Sequence, residues 1–415
     1  MNRFKLLGAG FLSLVLLGAG CGSSSVTGTV PIVDKNPGAE VNAGGFYEEV
    51  QTVKGVKTIV RPTDIHPSGQ LEETFPLLDN PTFVTIDEAE AQTTLFDQLP
   101  GFAVETSEGP RFYSSQVLAW HNIVHDSIDG QDVVITYSPL TGTGGVFARE
   151  GGETFEFSGL VWNNDALFVD AKTNSLWSAL LGKAIYGKRA GEILVPVPFD
   201  VVMWEQWKAA HPDGSVLSAK TGFERRYDLS PYGSYLQTRS IFFGLSSSFI
   251  PALEPKAVVN GVVIDGMAKA YQEGPIVQAT HRVLNDHIGE HAVVAWADAQ
   301  NVIRVHERTE EVEFDKISQT QLIDTDGRAW TLAANGDLVN GNQTFASLSP
   351  TSTFWFAWSA TYPNTDLYAF VIGKGLVNGP YELGEGEGVE LEENNTKIEV
   401  SDTPSITPII EEVVQ

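Results

Sequence analysis

The chain has 415 residues, a length that accommodates two domains with cores of their own. Its 40 glycines, 21 prolines and 22 phenylalanines favour a turn-rich fold containing β-sheet over a helical bundle. The formal net charge of −27 at pH 7 argues against a nucleic-acid-binding protein, because phosphate binding requires a basic surface.

The N-terminus has the layout of an export signal. Arg3 and Lys5 precede an apolar run over residues 6–17, and small residues lead from there to Cys21. This layout is typical of a signal peptide, and the apolar run is too short to cross a membrane. It resembles a bacterial lipoprotein signal, in which the cysteine is lipidated and becomes the first mature residue. Gly18 departs from such signals, which usually carry leucine at that position.

Lipid attachment at Cys21 predicts where the protein resides. The lipid is expected to hold it in the cell envelope, on the outer membrane and facing the periplasm in a Gram-negative cell. Cys21 is the only cysteine, so we expect no internal disulfide despite the oxidising compartment. The expected partner is the membrane, reached through the lipid, and the sequence specifies neither a protein partner nor a small ligand.

Composition divides the chain into five parts. Residues 1–20 form the predicted signal peptide, and residues 21–45 are small, polar and interrupted by proline, which is typical of a flexible linker. Regular patterning then predicts a first lobe over residues 46–250 and a second over residues 251–380. Residues 381–415 are acidic and glycine-rich, which favours a disordered tail or one that pairs with a sheet edge.

The first strongly patterned stretch begins at Ser114. Apolar residues follow at helical spacing, which predicts a helix carrying Val117, Trp120, Val124 and Ile128 on one face. His121 and His125 lie beside that face, four residues apart. A turn at residues 129–130, a strand over 133–137, a tight loop over 138–142 and a strand from about 145 complete the stretch.

Shorter elements follow. Strand-like runs broken by Gly159 and Asn163-Asn164 are predicted at residues 153–157, 160–162, 166–169, 174–177 and 184–186. Residues 202–210 read as a short helix closed by His-Pro-Asp-Gly. Residues 225–236 read as a loop with several tyrosines on the surface.

The second half repeats the first at low identity. His121 and Asp126 return as His281 and Asp286 at one constant spacing. The later tryptophans return in the same order at shorter spacings: Trp177 as Trp330, and Trp204-x-x-Trp207 as Trp355-x-x-Trp358. Matched order with a shrinking spacing indicates a duplicated unit with trimmed loops. We therefore predict a β-rich α+β fold of two pseudo-symmetric repeat units, each built from small sheets and short helices.

Four motifs resemble an uncharacterised bacterial family, domain of unknown function 3179. They read W-H-N-I-V-H-D from Trp120, T-Y-S-P-L-T-G-T from Thr136, S-G-L-V-W-N from Ser158 and S-L-W-S from Ser175. The resemblance spans roughly residues 78–368 and implies a family but no function.

The departures from the family pattern are informative. Ser138 and Thr141 stand where the family carries a Cys-Pro-Leu-Cys pair, and Asn122 and His125 replace a glutamate and an asparagine. A paired thiol can act in redox chemistry or bind metal, whereas hydroxyls with a pKa far above neutral do neither. Thiol chemistry in relatives is therefore expected to be lost here, while the turn should still bring positions 138 and 141 together.

Other chemical interpretations of these residues are weaker. The loop lacks the Gly-Lys-Ser/Thr ending of a phosphate loop, and Ser138 lacks the Gly-x-Ser-x-Gly elbow of a hydrolase nucleophile. His121 and His125 could bind a metal from one helix face, but a third ligand is missing, so we favour core histidines hydrogen-bonded to backbone. Asp126 and Asp286 are expected to brace turns, and the paired tryptophans to fill two cores.

Two functional hypotheses remain. The first is a non-catalytic, lipid-anchored binding or assembly module with a decayed thiol site. The alternative is an enzyme that uses His121, Asp126 and the loop over residues 137–142 without thiols. No cofactor fingerprint is present. The candidate pocket consists of polar and aromatic residues of the motifs, namely His121, Asp126, Tyr137, Ser138, Thr141, Gly142, Asn163, Asn164 and Trp177.

Overall fold

Short β-strands dominate the chain, as expected for a β-rich fold of small sheets with a few short helices. The computed structural model describes residues 40–70, 74–93 and 95–381. The predicted signal peptide, nearly all of the linker and the tail beyond Tyr381 lie outside the described residues. Within the described residues, no helix has the length and apolar character needed to cross a bilayer.

The first half contributes sixteen strands and three helices to the described chain. The strands are β1 Phe46–Val53, β2 Val56–Val60, β3 Ile65–Pro67, β4 Leu78–Asp79, β5 Phe83–Thr85, β6 Pro100–Val104, β7 Arg111–Ser114, β8 Ile123–Ile128, β9 Gln131–Ser138, β10 Thr143–Ala148, β11 Phe155–Trp162, β12 Asp165–Asp170, β13 Leu176–Ser178, β14 Lys183–Tyr186, β15 Asp200–Met203 and β16 Ser215–Leu217. The helices are α1 Ile86–Gln92, α2 Ser115–His121 and α3 Trp204–Ala210.

The second half contributes thirteen strands and two helices. The strands are β17 Val258–Ile264, β18 Met267–Tyr271, β19 Val283–Ile288, β20 His291–Ala297, β21 Ile303–Glu307, β22 Phe314–Ser318, β23 Gln321–Asp324, β24 Ala329–Leu332, β25 Leu338–Asn340, β26 Gln343–Phe345, β27 Thr351–Phe354, β28 Asp366–Val371 and β29 Gly375–Pro380. The helices are α4 Glu273–Gln278 and α5 Trp355–Thr361.

These strands form three sheets in each half. The first half has the orders β1-β2-β14-β13-β12-β11-β3, β10-β9-β8-β4 and β15-β6-β7-β16-β5. The second half has the orders β27-β17-β18-β28-β29, β19-β20-β21 and β22-β23-β24-β25-β26. The runs β15-β6-β7-β16 and β27-β17-β18-β28 share one pattern of directions, two antiparallel junctions followed by a parallel one.

The paired tryptophans occupy two separate cores, as predicted. Trp204 and Trp207 are buried with Phe112 in a core of the first half. Trp355 and Trp358 are buried beneath β17, β18 and β28, in a core that the second half shares with apolar residues of the first half, including Phe157 and Val161. Each pair lies on a seven-residue helix, three residues apart, so both rings reach the same side of the helix.

The halves meet at a seam where apolar side chains of each half pack in the tryptophan core of the other. Leu140, from the loop between β9 and β10, packs in the core of Trp355 and Trp358. Val302, from the loop between β20 and β21, packs in the core of Trp204 and Trp207. The seam also carries an ion pair in which Arg304 donates to both carboxylate oxygens of Asp200, at 2.9 and 2.6 Å.

Two predictions about the first half were wrong. The helix ends at His121, because Asn122 adopts φ +57 and the following residues, starting with β-branched Ile123 and Val124, pair as strand β8. His121 and His125 therefore do not share a helix face. Gly159, predicted to break a strand, lies inside β11 at φ +71, where the pairing register with β12 shifts.

The tyrosines predicted on the surface are also corrected. Tyr227, Tyr232 and Tyr235 are all buried, although most of residues 225–236 are irregular as expected. Tyr232 stacks on Phe75, and the Tyr235 hydroxyl donates to the Leu140 carbonyl at 2.7 Å. The segment therefore packs between the halves, which local polarity alone does not indicate.

Candidate functional site

The loop over residues 138–142 lies at the seam. Its turn is closed by the Thr141 amide, which donates to the Ser138 carbonyl at 3.3 Å. The Thr141 carbonyl accepts from the Phe354 amide at 2.7 Å and from the Thr353 hydroxyl at 3.1 Å. Gly142 has φ +65, and a Cβ there would come within 2.8 Å of the Phe354 ring. The second half is thus docked directly onto this loop.

The side chains of the loop are enclosed by neighbouring strands. Ser138 is 1% exposed, and its hydroxyl accepts from the Ala166 amide at 3.0 Å. Thr141 is fully buried near Asp165, a carboxylate that accepts from the Ser178 hydroxyl at 2.7 Å and the Leu180 amide at 3.2 Å. Burial raises the pKa of Asp165 to about 6, against the opposing effect of these donors and of Thr141.

One oxygen of Asp165 remains poorly satisfied. Neither Asp165 Oδ1 nor the Thr141 hydroxyl has a hydrogen-bond partner of normal geometry among the described residues. A buried carboxylate with an unpaired oxygen favours the neutral, protonated form, because the charged form loses its solvation. The loop therefore borders an acidic group poised to titrate close to neutral pH, and not an open reactive pocket.

Asn163 and Asn164 form the turn between β11 and β12. Both have positive φ, +50 and +64, and both are fully buried. The Asn164 amide bonds the backbone of Phe243 twice: Oδ1 accepts from the Phe243 amide and Nδ2 donates to its carbonyl, each at 3.0 Å. Asn163 Oδ1 accepts from the Ser246 amide at 2.7 Å, and its Nδ2 donates to the Thr361 hydroxyl at 3.1 Å. The two asparagines therefore hold an irregular segment of the chain against the seam.

His121 belongs to a different network. Its Nδ1 lies 2.8 Å from the Pro76 carbonyl, which can only accept, so Nδ1 carries the proton. Its Nε2 then accepts from the Tyr227 hydroxyl at 2.8 Å, and that hydroxyl accepts from Thr221 at 2.6 Å. Burial lowers the pKa of His121 to about 4, so the ring is neutral at pH 7. The expectation of a core histidine bonded to backbone holds at this position.

His281, which the sequence analysis matches to His121, lies outside the core. His281 has φ +59, and about half of its side chain is exposed. Its Nδ1 lies 3.0 Å from the Asp315 carbonyl. The surface turn after α4 leaves this histidine outside the core.

His125 connects two sheets through a ring nitrogen. Its Nε2 accepts from the Phe155 amide at 3.2 Å, which ties β8 to β11. In the second half, Asn285 Oδ1 accepts from the Phe314 amide at 2.9 Å and ties β19 to β22. An imidazole nitrogen and an amide oxygen thus fill the same role, so exchanging asparagine for histidine preserves the contact.

Asp126 is braced by residues that the sequence analysis missed. It accepts from the Tyr113 hydroxyl at 2.6 Å and from Arg111 at 3.2 Å. The second half repeats this set: Asp286 accepts from the Tyr271 hydroxyl at 3.1 Å and lies 2.7 Å from Lys269 Nζ. A basic residue two positions before a tyrosine, followed by an aspartate on the next hairpin, is the sequence signal that could have revealed both.

The remaining candidates also lie away from the loop. Tyr137 follows the strand alternation of β9, so its ring faces Phe102 on the side opposite Ser138, and burial raises its pKa to about 12. Trp177 is buried, with Nε1 donating to Asp170 at 2.9 Å and Arg189 stacked on its ring at 4.5 Å. The seam therefore joins Ser138, Thr141, Gly142 and the asparagine pair, whereas His121, Asp126, Tyr137 and Trp177 lie in separate environments.

An open cleft of about 1130 Å³ lies beside the His121 network. It runs between α1, α3 and the irregular segment after β16, and Tyr227 and Trp204 contribute aromatic surface to it. Acidic and basic side chains both line it: Glu88, Glu90, Asp97 and Asp228, and Lys208, Lys220 and Arg225. Its size suits a small ligand or a short peptide. In the part of the chain that the structure describes, no three His, Cys, Asp or Glu side chains are arranged to hold a metal ion.

Comparison with known proteins returns a single family. The model described as Protein of unknown function (DUF3179) matches residues 72–365, well over half of the chain and both halves of the fold. No curated protein and no solved structure matches the chain.

Proposed function

Because the chain belongs to this family of proteins of unknown function, we propose from its geometry that it is an exported, lipid-anchored binding or assembly module without catalytic activity. One observation carries the proposal: the loop in place of the family's cysteine pair is used to join the two halves. Ser138 and Thr141 are both at least 99% buried, and the loop carbonyls accept hydrogen bonds from Phe354, Thr353 and Tyr235.

The alternative, an enzyme built on His121, Asp126 and this loop, requires the three to share a site. They lie instead in three hydrogen-bond networks, centred on Tyr227, on Arg111 with Tyr113, and on Phe354. General acid–base chemistry needs its groups within hydrogen-bond reach of one reacting atom. This separation supports a binding role over a catalytic one.

The open cleft is the proposed ligand-binding surface. Whether a bound compound is consumed distinguishes a binding module from an enzyme. The soluble body, from about residue 40, is incubated with an extract of envelope peptides and small molecules, and mass spectrometry follows each compound. A binding module retains a compound at no more than one equivalent, and Lys220→Glu in the cleft lowers that retention. Consumption of many equivalents, abolished by His121→Gln, would establish the enzyme instead.

Lipid attachment at Cys21 is proposed from the N-terminal pattern alone. The predicted linker over residues 21–45 would separate the lipid from the folded body. Mass spectrometry of the membrane-extracted protein should find a diacylglyceryl group on Cys21 as the first residue. Cys21→Ser should release the protein from the membrane fraction. An unmodified mature N-terminus at another position would contradict the proposal.

We also infer that the halves arose by duplication. Matched strand orders support this, and so do four matched sets of contacts. In the first set, Asp126 bonds Arg111 and Tyr113, and Asp286 contacts Lys269 and Tyr271 in the same way. In the second and third sets, His125 and Asn285 accept from the amides of Phe155 and Phe314, and Arg149 and Arg308 donate to the carbonyls of Val133 and Val293. In the fourth set, the indoles of Trp177 and Trp330 donate to Asp170 and Asp324. An experimental structure should superpose residues 100–217 on residues 258–371 with these sets in register. A superposition that aligns the strands but separates the sets would contradict common descent.

A further inference from the structure

Residues 239–250, called the strap here, cross the seam without regular secondary structure. Among the described residues, no backbone–backbone hydrogen bond joins the strap to the rest of the chain. Side chains from elsewhere in the fold hydrogen-bond to its backbone instead. Asn164 bonds the backbone of Phe243, Asn163 and Arg61 bond that of Ser246, and Ser359 and Trp355 bond that of Ile250. This is the manner in which a protein holds an extended peptide ligand.

One apolar side chain of the strap is buried and the others are partly buried. Ile241 is 2% exposed and belongs to the core of Trp355. Phe242, Phe243 and Leu245 are partly buried against that core, and Gly244 among them is exposed. Tyr235 packs on the Phe242 ring at 4.5 Å between ring centres. Specificity for the strap therefore comes from the buried Ile241 and a few half-buried side chains, while the bonds to its backbone are independent of its sequence.

The groove beneath the strap is rigid by comparison. Asn163 and Asn164 are fully buried at the tip of the β11–β12 hairpin, and their left-handed backbone fixes the directions of the two amides. Thr361, which accepts from Asn163, is the last residue of α5. The recognition groups thus lie on ordered elements of both halves, whereas the segment that they recognise does not.

We propose that this groove is a peptide-binding site that the strap occupies in cis, and that an extended segment of a partner protein can replace it. The partner segment would carry apolar side chains at the positions of Ile241, Phe242, Phe243 and Leu245, with a small residue in place of Gly244. This inference rests on the proposed role as a binding module and adds to the open cleft a second binding surface, whose ligand is an extended peptide. The strap remains bound in the absence of a partner because its tethered ends give it an effective concentration of about 1 mM or more.

The first experiment weakens the contacts of the strap by substitution and adds a separate peptide that carries the strap's sequence. Phe242→Ser with Leu245→Ser removes two docked side chains and leaves both asparagines intact. A fluorescent peptide with the sequence S-I-F-F-G-L-S-S-S-F-I, extended by lysines for solubility, should bind this variant saturably and bind the unaltered protein far more weakly. Adding Asn164→Ala should weaken the peptide roughly tenfold or more, because two backbone hydrogen bonds are lost.

A matched control separates recognition from turn strain. Asn174 also has positive φ, at +55, in a turn of the same sheet, but it is exposed and far from the strap in sequence. Asn174→Ala in the weakened protein should leave peptide affinity unchanged. Absence of peptide binding to a folded weakened variant overturns the proposal, and so does equal binding with and without Asn164→Ala.

If the weakened variant fails to fold, hydrogen exchange of the unaltered protein tests whether the strap opens independently of the rest of the fold. The Phe243 and Ser246 amides should exchange at least a hundredfold faster than the paired amides of β11 and β12, through local opening of the strap. Exchange of all these amides at one common rate would show that the strap opens only with the whole fold, and would overturn the proposal. Either failure leaves ligand retention in the open cleft untouched, so the proposed function is tested separately.

Discussion

Asp165 provides the sharpest test of how the seam is built. The carboxyl is fully buried, and burial raises its pKa from 3.8 to about 6. The folded protein therefore binds this proton more tightly than the unfolded chain. The stability contributed by the neutral carboxyl is complete below about pH 4 and is lost as the pH rises through about 6. A shift of about two pKa units corresponds to about 3 kcal/mol of unfolding free energy lost by pH 7.5.

Asp165→Asn should recover much of that free energy. The amide oxygen can accept from Ser178 and Leu180 as the carboxylate does, and the amide nitrogen can donate toward the Thr141 hydroxyl, which lacks a partner of normal geometry. We expect the variant to be about 1–3 kcal/mol more stable than the unaltered protein at pH 7.5, and equal or slightly less stable at pH 4. Urea unfolding followed by tryptophan fluorescence at both pH values measures the difference.

Asp170→Asn is the matched control. Asp170 is equally buried at the other end of β12, but its carboxylate accepts three hydrogen bonds from Thr173 and Trp177 and lies 4.0 Å from Arg189. Removing that charge should destabilise the protein at pH 7.5. A loss of stability in Asp165→Asn like that of the control would refute the reasoning, as would a gain that does not change with pH.

Three further predictions concern the same body. His125→Asn should change the unfolding free energy by less than about 1 kcal/mol, because Asn285 makes the equivalent contact with its amide oxygen. His125→Ala should lower the unfolding free energy by about 1–3 kcal/mol, because it leaves the Phe155 amide unpaired. Urea unfolding distinguishes the two variants. Ser138→Cys with Thr141→Cys should give a cysteine pair that can be oxidised to a disulfide. In the reduced protein the pair should react with a thiol reagent only after unfolding, since both positions are buried, and rapid labelling of the native protein would contradict this. Arg304→Lys should weaken the seam measurably despite keeping its charge, because one ammonium cannot reproduce the paired bonds to Asp200; a free energy of unfolding equal to that of the unaltered protein would show that the fork is dispensable.

Local pattern predicted the short elements and the two tryptophan cores well. The turn at Asp129-Gly130 and the strand after it follow from left-handed turn residues before a β-branched run, and the structure has both. The helix from Ser114 was predicted to run too far, because Val124 and Ile128 satisfy helical spacing and strand pairing alike. The deciding residue is Asn122, whose left-handed backbone ends α2, and no periodicity reveals it.

The candidate site was harder to predict, because it depends on contacts between distant parts of the chain. The sequence analysis placed nine residues in one candidate pocket, and the structure brings only five of them together at the seam, namely Ser138, Thr141, Gly142, Asn163 and Asn164. The sequence motifs could not indicate that Phe354 and the strap cover this group. Tyr227 and Asp165 were missed for a related reason: each is meaningful only through a partner far along the chain, His121 for one and the Thr141 loop for the other.

The contacts at the seam determine the backbone conformation of the loop over residues 138–142. Its conformation depends on the Thr141 amide and carbonyl, on the left-handed Gly142 and on the Leu140 side chain, and none of these involves the side chains at positions 138 and 141. A hydroxyl at position 138 adds a hydrogen bond to the Ala166 amide. Because the two halves insert Leu140 and Val302 into each other's tryptophan cores, a change that moved the loop would disturb both cores at once. The backbone conformation of the loop therefore depends on contacts between the two halves, and it does not depend on which side chains stand at positions 138 and 141.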